Sequence, residues 1–153
     1  MDRITKISQE GLDLIKNYEG FSSKPYLCSA GVPTIGYGAT YYPNGKRVSL
    51  TDESITEEWA EVMLAKMLEY YEQEVDAMTT DLINQHQFDA LVSFAYNCGT
   101  QNLKKSTLLK IVNINPNEPN IELEFMKWNK AKGKTIAGLT KRRAAEAALY
   151  FKK

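Results

Sequence analysis

Glu19, Cys28 and Thr34 lie nine and then six residues apart in the stretch EGFSSKPYLCSAGVPTIGYG, Glu19 to Gly38, which glycine and proline interrupt too often for a helix. A carboxyl group, a thiol and a hydroxyl at such intervals suit acid–base hydrolysis. If the carboxyl faces the polar pair across a cleft with room for one water, the layout is that of an inverting glycosidase. The acid protonates the leaving oxygen and the water attacks from the opposite face. Taken singly, each residue has a plainer explanation. Glu19 would be a solvated side chain at a helix end, Cys28 a small buried hydrophobe and Thr34 an ordinary strand residue.

The flanking elements must position these groups. A first helix starts with Ser8 as N-cap, where Ile7 and Leu12 form a hydrophobic staple and Leu12, Ile15 and Tyr18 share a face. It stops at Gly20, which leaves Glu19 in the last turn, where the helix dipole disfavours a carboxylate. TIGYGATYY and KRVSL flank PNG as strand, turn and strand, a small β-hairpin region. A long helix follows, with Thr56 as N-cap and Trp59, Val62, Met63, Met67 and Tyr70 at helical spacing.

Asn84 and Gln87 are placed as a capping box for a helix that is apolar on most sides from Phe88 to Tyr96, the pattern of a buried lobe centre. Ser106 caps TLLKIV, and Asn120 caps a helix holding Phe125 and Trp128 that Gly133 ends. A last helix starting after Thr140 would carry Lys141, Arg142 and Arg143 in its first turn. Three cations at the positive end of a helix break the dipole rule, which points either to a functional site or to acids brought in from elsewhere.

With 153 residues, 43% apolar and 25% charged, the chain is long enough for a sizeable core in one compact or two-lobed domain. The longest apolar runs, such as ALVSFAY, fall far short of a bilayer span, and MDRITKISQEG lacks the apolar region of a secretory signal. The expectation is a soluble protein made in a cytoplasm. Cys28 and Cys98 stand without CxxC spacing or nearby histidine partners, so free thiols are expected rather than zinc or disulfides. Nothing calls for a metal or an organic cofactor. TIGYG is not a phosphate loop, because no lysine and serine follow it into a helix. Net charge is zero, yet residues 52–89 are strongly acidic, and residues 127–153 set nine lysines and arginines against Glu146 alone. That imbalance fits a basic surface for an anionic polymer, or two solvated helix faces of opposite sign.

The order Glu, eight residues, Asp or Cys, five residues, Thr resembles the active-site segment of the phage-type lysozymes, glycoside hydrolase family 24. The similarity continues through QFDALVSFAYNCG, STLLK and GLTKRRAAEAALY, so it spans nearly the whole chain. It implies a lysozyme-like α+β fold, mainly α-helical with a small N-terminal β-hairpin lobe. The implied single domain has a small lobe at about 20–56, a connecting helix at about 57–77, and a helical lobe at about 80–153 plus helix 8–19.

The implied activity is hydrolysis of the β-1,4 bond between N-acetylmuramic acid and N-acetylglucosamine in bacterial peptidoglycan, in a cleft between the lobes. By the same resemblance Glu19 is the general acid, and Cys28 and Thr34 flank the attacking water. Arg142 or Arg143 sits beside Glu19, and Thr40, Tyr96 and Thr107 line saccharide subsites. Ala39 stands where many relatives carry histidine. Cys28 either positions water, giving inversion, or acts as a nucleophile, giving retention; the first is favoured because inversion leaves room for water.

A phage endolysin of this kind would be a monomer, with no nucleic-acid partner and no stable membrane association. It would wait in the host cytoplasm for a pore-forming holin before acting on the wall. Two other functions stay open at this level. One is a thiol amidase or peptidase pairing Cys98 or Cys28 with His86, and the other is a non-catalytic peptidoglycan-binding module.

Overall fold

The computed structural model describes residues 3–153; Met1 and Asp2, part of the N-terminal segment considered above, lie outside the described residues. In chain order the elements are α1 (Gln9–Glu19), β1 (Ser22–Leu27), β2 (Pro33–Gly36), α2 (Glu57–Met78), α3 (Gln85–Cys98) and α4 (Thr100–Lys105). They are followed by α5 (Thr107–Ile114), α6 (Ile121–Met126), β3 (Lys130–Ala131), β4 (Lys134–Thr135) and α7 (Ala137–Tyr150). The mainly helical α+β class is as expected. The chain divides into two compact units, Ile15–Tyr70 and the residues up to Leu14 with Tyr71–Lys153, so α1 and α2 each contribute to both.

In the Ile15–Tyr70 unit, β1 and β2 pair antiparallel, with Tyr26 opposite Thr34 and Leu27 opposite Pro33. This pair lies earlier than the expected hairpin, because Gly36 and Gly38 take φ of +66° and +86° and end the strand. Ile35 and Ala39 then close the loop by exchanging backbone hydrogen bonds of 2.8 and 2.9 Å. A Cβ on Gly36 would also stand 3.2 Å from that of Ala60, so the backbone here lies close against α2. The PNG turn does form, its Gly45 amide donating to the Tyr42 carbonyl at 2.9 Å, but its flanks make only the isolated bridge Tyr41–Arg47. Ile35, Ala39, Val48 and Met63 form the core of this unit, with Tyr42, Ile55 and Met67 packed around it.

Thr56 caps α2 as expected, its hydroxyl accepting the Trp59 amide at 3.1 Å. The buried stripe, however, is Ala60, Met63, Leu64, Leu68 and Val75, whereas Trp59, Val62 and Tyr70 are 42%, 54% and 52% exposed. Both stripes have helical spacing. Small Ala60 faces inward where Gly36 needs room, a choice that periodicity cannot make.

In the other unit, the capping box of α3 is present as expected: Asn84 Oδ1 accepts the Gln87 amide at 2.8 Å and Gln87 Oε1 accepts the Asn84 amide at 2.9 Å. Residues Gln87 to Ala95 are all buried. α7 packs on α3 and α6 on α7. Phe94 meets Phe125 and Trp128 edge-on at 5.9 and 5.4 Å, and Tyr150 donates to the Pro116 carbonyl at 2.7 Å. Ser106 caps α5 through the Leu109 amide at 3.0 Å, while α4 carries no prior signal.

Two expected boundaries are corrected here. α6 ends at Met126 with Trp128 outside it, and Asn120 is itself helical and makes no side-chain cap. Gly133 instead turns the small β3–β4 hairpin together with Lys132, both at positive φ. α7 begins at Ala137 behind extended Ile136, about a turn before the expected start. Lys141, Arg142 and Arg143 therefore lie in its second turn, beyond the strongest part of the dipole field.

Ser8 caps α1 as expected, accepting the Gly11 amide at 3.4 Å, and is itself fixed by α3: its amide donates to Asp89 Oδ1 at 2.9 Å and its hydroxyl donates to Asp89 Oδ2. Gly11 packs directly on this contact. A Cβ there would lie 2.7 Å from Asp89 Cβ and 2.7 Å from Ile7 Cγ1. Helix propensity alone favours alanine by about 1 kcal/mol, but overpacking of about 1–3 kcal/mol and displacement of Asp89 oppose it. Gly11→Ala is expected to lower the melting temperature by about 2–6 °C. A melting temperature that rises would contradict this packing.

Candidate active site

Glu19 is the last residue of α1, half-buried, and Gly20 follows it at φ +72°. The turn before Glu19 is pinned within the same unit. Ile15 is fully buried, and the Lys16 ammonium meets Glu61 of α2 at 2.5 Å while lying 5.5 Å over the ring of Tyr37. Tyr37 in turn donates to Glu57 at 3.0 Å and packs on Phe21. The backbone that carries Glu19 is therefore fixed by groups one turn earlier.

Cys28 follows β1 and opens a tight turn in which its amide donates to the Val32 carbonyl at 3.0 Å and its carbonyl accepts the Gly31 amide at 2.8 Å. Its sulfur faces the backbone amides of Val32 and Ala30. These donors hold the thiol below its usual range, helped by the Thr34 hydroxyl and opposed by partial burial. Buried Thr34 donates its hydroxyl to the Val32 carbonyl at 2.8 Å. The strand pair thus brings Cys28 and Thr34 together.

Tyr26, opposite Thr34 on β1, ties this pair to Glu19. Burial pushes its phenol up, and the charges of Glu19 and Cys28 add to the effect, so both act on one hydroxyl. The sequence marks Tyr26 only by its place two residues before Cys28, on the same face of an extended strand.

The two thiols should react differently. Burial pushes the Cys98 thiol up despite the Arg143 guanidinium against its sulfur. Iodoacetamide is therefore expected to modify Cys28 first and at lower pH, as followed by peptide mass mapping across a pH series. Equal rates at both sites would contradict the environment of Cys28.

The remaining candidates fall elsewhere. Thr40 belongs to the Ile15–Tyr70 unit and lines a groove there, whereas Tyr96, Thr107 and Arg142 belong to the other. Tyr96 is half-buried and edge-on to Tyr71 at 5.2 Å, and Thr107 is the exposed first residue of α5.

Arg142 and Arg143 are 3% and 0% exposed, so the basic C-terminal surface consists of lysines rather than lysines and arginines. Both guanidiniums close on fully buried Glu146, Arg142 at 3.3 Å and Arg143 at 2.7 Å. The 2.7 Å approach joins opposite charges but is poorly aligned as a hydrogen bond. Ser93 donates to the same carboxylate at 2.5 Å, and Arg142 donates to the Ser93 carbonyl at 3.3 Å. Burial pushes the Glu146 carboxyl up while the guanidiniums pull it back.

His86 lies in the first turn of α3, with Nδ1 3.1 Å from the Lys152 carbonyl and Nε2 3.2 Å from Glu10. Cys98 ends the same helix, about 18 Å away by helical rise, so these two do not form a catalytic pair. Among the described residues no group of His, Cys, Asp and Glu is placed to hold a metal ion, and no helix is long and apolar enough to cross a membrane.

Solved structures share this fold. An endolysin from Escherichia coli O157:H7 phage FAHEc1 matches with a TM-score of 0.88 at 38% identity, over 95% of this chain and 93% of its own. The muramidase domain of SpmX from Asticaccaulis excentricus matches with a TM-score of 0.82 at 29% identity, over 97% and 99%. The fold is therefore lysozyme-like.

Residues 16–146 match the phage lysozyme family, and the chain belongs to that family. An endolysin of Bacillus phage B103 is 42% identical over 145 residues, covering 95% of this chain and 54% of the relative. An endolysin of Acyrthosiphon pisum secondary endosymbiont phage 1 is 40% identical over 148 residues, covering 94% and 97%. The chain thus spans about half the length of the first relative and nearly all of the second.

Proposed function

We propose that this chain is an endo-acting muramidase that hydrolyses the β-1,4 bond between N-acetylmuramic acid and N-acetylglucosamine in peptidoglycan, and that it serves as a phage endolysin. The observation that carries the reading is that the β1–β2 pair sets Tyr26 opposite Thr34 and Cys28 at the end of the same strand, in the unit that also holds Glu19 at the end of α1. Membership of the phage lysozyme family supports it.

Glu19, as general acid, gives its proton to the departing glycosidic oxygen. Thr34 and Cys28 hold one water on the other face of the sugar, and that water's oxygen bonds to the anomeric carbon as the glycosidic bond breaks. The water's surplus proton passes to solvent, from which Glu19 is reprotonated. Because the transition state is oxocarbenium-like, the water needs placing more than deprotonating, and the outcome is inversion. Tyr96, Thr107 and Thr40 serve the saccharide in this scheme.

Digestion of purified peptidoglycan tests the reading. New reducing sugar ends support it, whereas new free amines without reducing ends, or saturable wall binding with no products, would replace it with the amidase or the binding module.

The enzyme acts as a monomer and reaches the wall through a separate pore-forming protein. Light scattering at the one-chain mass of 17.3 kDa tests the first point. Intracellular expression that leaves cells intact until their membrane is permeabilised tests the second.

A further inference from the structure

The Ile15–Tyr70 unit holds a groove of about 540 Å³ whose walls include Val32, Pro33, Thr40, Tyr41, Arg47 and Leu50. One end adjoins the catalytic candidates. Val32 and Pro33 directly precede Thr34, and the Val32 carbonyl accepts both the Thr34 hydroxyl at 2.8 Å and the Cys28 amide at 3.0 Å. Farther along is exposed Arg47, its guanidinium 5.4 Å over the ring of Tyr41. Among the described residues no carboxylate pairs with Arg47. Asp52, the acid closest in sequence, is committed to the Tyr42 hydroxyl at 2.8 Å and the Ser49 amide at 2.7 Å. Val32, Tyr41 and Leu50 remain 40%, 46% and 50% exposed.

A guanidinium braced on an aromatic face in an apolar groove is suited to a carboxylate carried on a short chain bearing small apolar groups. A peptidoglycan strand presents such carboxylates on the stem peptides attached to the lactyl groups of its muramic acid residues. We propose that this groove receives the stem peptide of the muramic acid at the scissile bond. Arg47 binds a stem carboxylate, and Val32, Tyr41 and Leu50 cover the peptide's alanine methyls. Resting on the muramidase reading, the assignment makes stem-peptide chemistry a determinant of which glycan the enzyme holds.

The test uses full-length protein carrying Glu19→Gln, with and without Arg47→Gln, in co-sedimentation with sacculi freed of secondary wall polymers. Arg47→Gln is expected to weaken binding to stem-bearing sacculi about three- to fivefold at low salt, less as salt is raised. It should make no difference with amidase-stripped glycan, or with sacculi whose stem carboxyls have been amidated. Arg47→Lys should recover part of the binding, which separates charge from misfolding. Equal weakening on stripped glycan, or unchanged binding to intact sacculi, would overturn the proposal. Absence of reducing ends from the wild-type enzyme would instead sink the muramidase reading, through a separate readout.

Discussion

Glu19→Gln should reduce the release of reducing ends from peptidoglycan by about 100- to 10,000-fold, the range expected when a general acid is removed. Glutamine keeps the size and hydrogen-bonding capacity of the side chain but has no proton to give. The α1 backbone around it is held by Ile15 and by Lys16 with Glu61 and Tyr37, so the helix end should not move. The melting temperature should stay within a few degrees, since a carboxylate at a helix C-terminus is not electrostatically favoured. The protein should still bind walls. A variant retaining more than about a tenth of the rate would remove Glu19 from the acid's role.

The largest effect on stability is expected at Glu146. Glu146→Ala would leave the buried guanidiniums of Arg142 and Arg143 without their shared carboxylate and deprive Ser93 of its acceptor. Losing one member of a buried ionic group costs about 3–5 kcal/mol, because the remaining charge stays desolvated. For a chain of this size that is a fall of about 6–20 °C in melting temperature. Replacing all three charged residues together by Met, Met and Leu should recover much of the loss, since burying apolar groups carries no such penalty. Urea denaturation gives the check. A Glu146→Ala protein within 1 kcal/mol of wild type would show that the cluster does not hold α7 to α3.

What could be read ahead of the structure follows the range of each interaction. Ser8, Thr56, Ser106 and the Asn84–Gln87 box are legible because a cap is completed within three residues along the chain. The Glu19, Cys28 and Thr34 spacing is legible for a similar reason, being a pattern within one short segment. Tyr26 is not, since its relation to Thr34 depends on the register of β1 against β2.

Arg142 and Arg143 look like surface cations in a one-dimensional count. Glu146, four and three residues on, was the available clue that all three turn inward as a group. The start of α7 is not legible, because Thr140 is a good capping residue and Ile136 is not. The structure enters the helix from β4 through extended Ile136, without a side-chain cap. The inward face of α2 likewise depended on Gly36 and Ala60 meeting, two residues with little hydrophobic signal of their own.

In the proposed mechanism Cys28 decides the stereochemistry, and the product's first-formed anomer reports it directly. Proton NMR of the anomeric region, recorded during cleavage of a defined peptidoglycan oligosaccharide by the wild-type enzyme, follows that anomer as it forms. Cleavage of the β-linked bond with Thr34 and Cys28 holding water predicts that the α-anomer of the new reducing end appears first and then mutarotates. Initial appearance of the β-anomer would make Cys28 a nucleophile and the enzyme retaining, and no new anomeric signal at all would contradict glycoside hydrolysis.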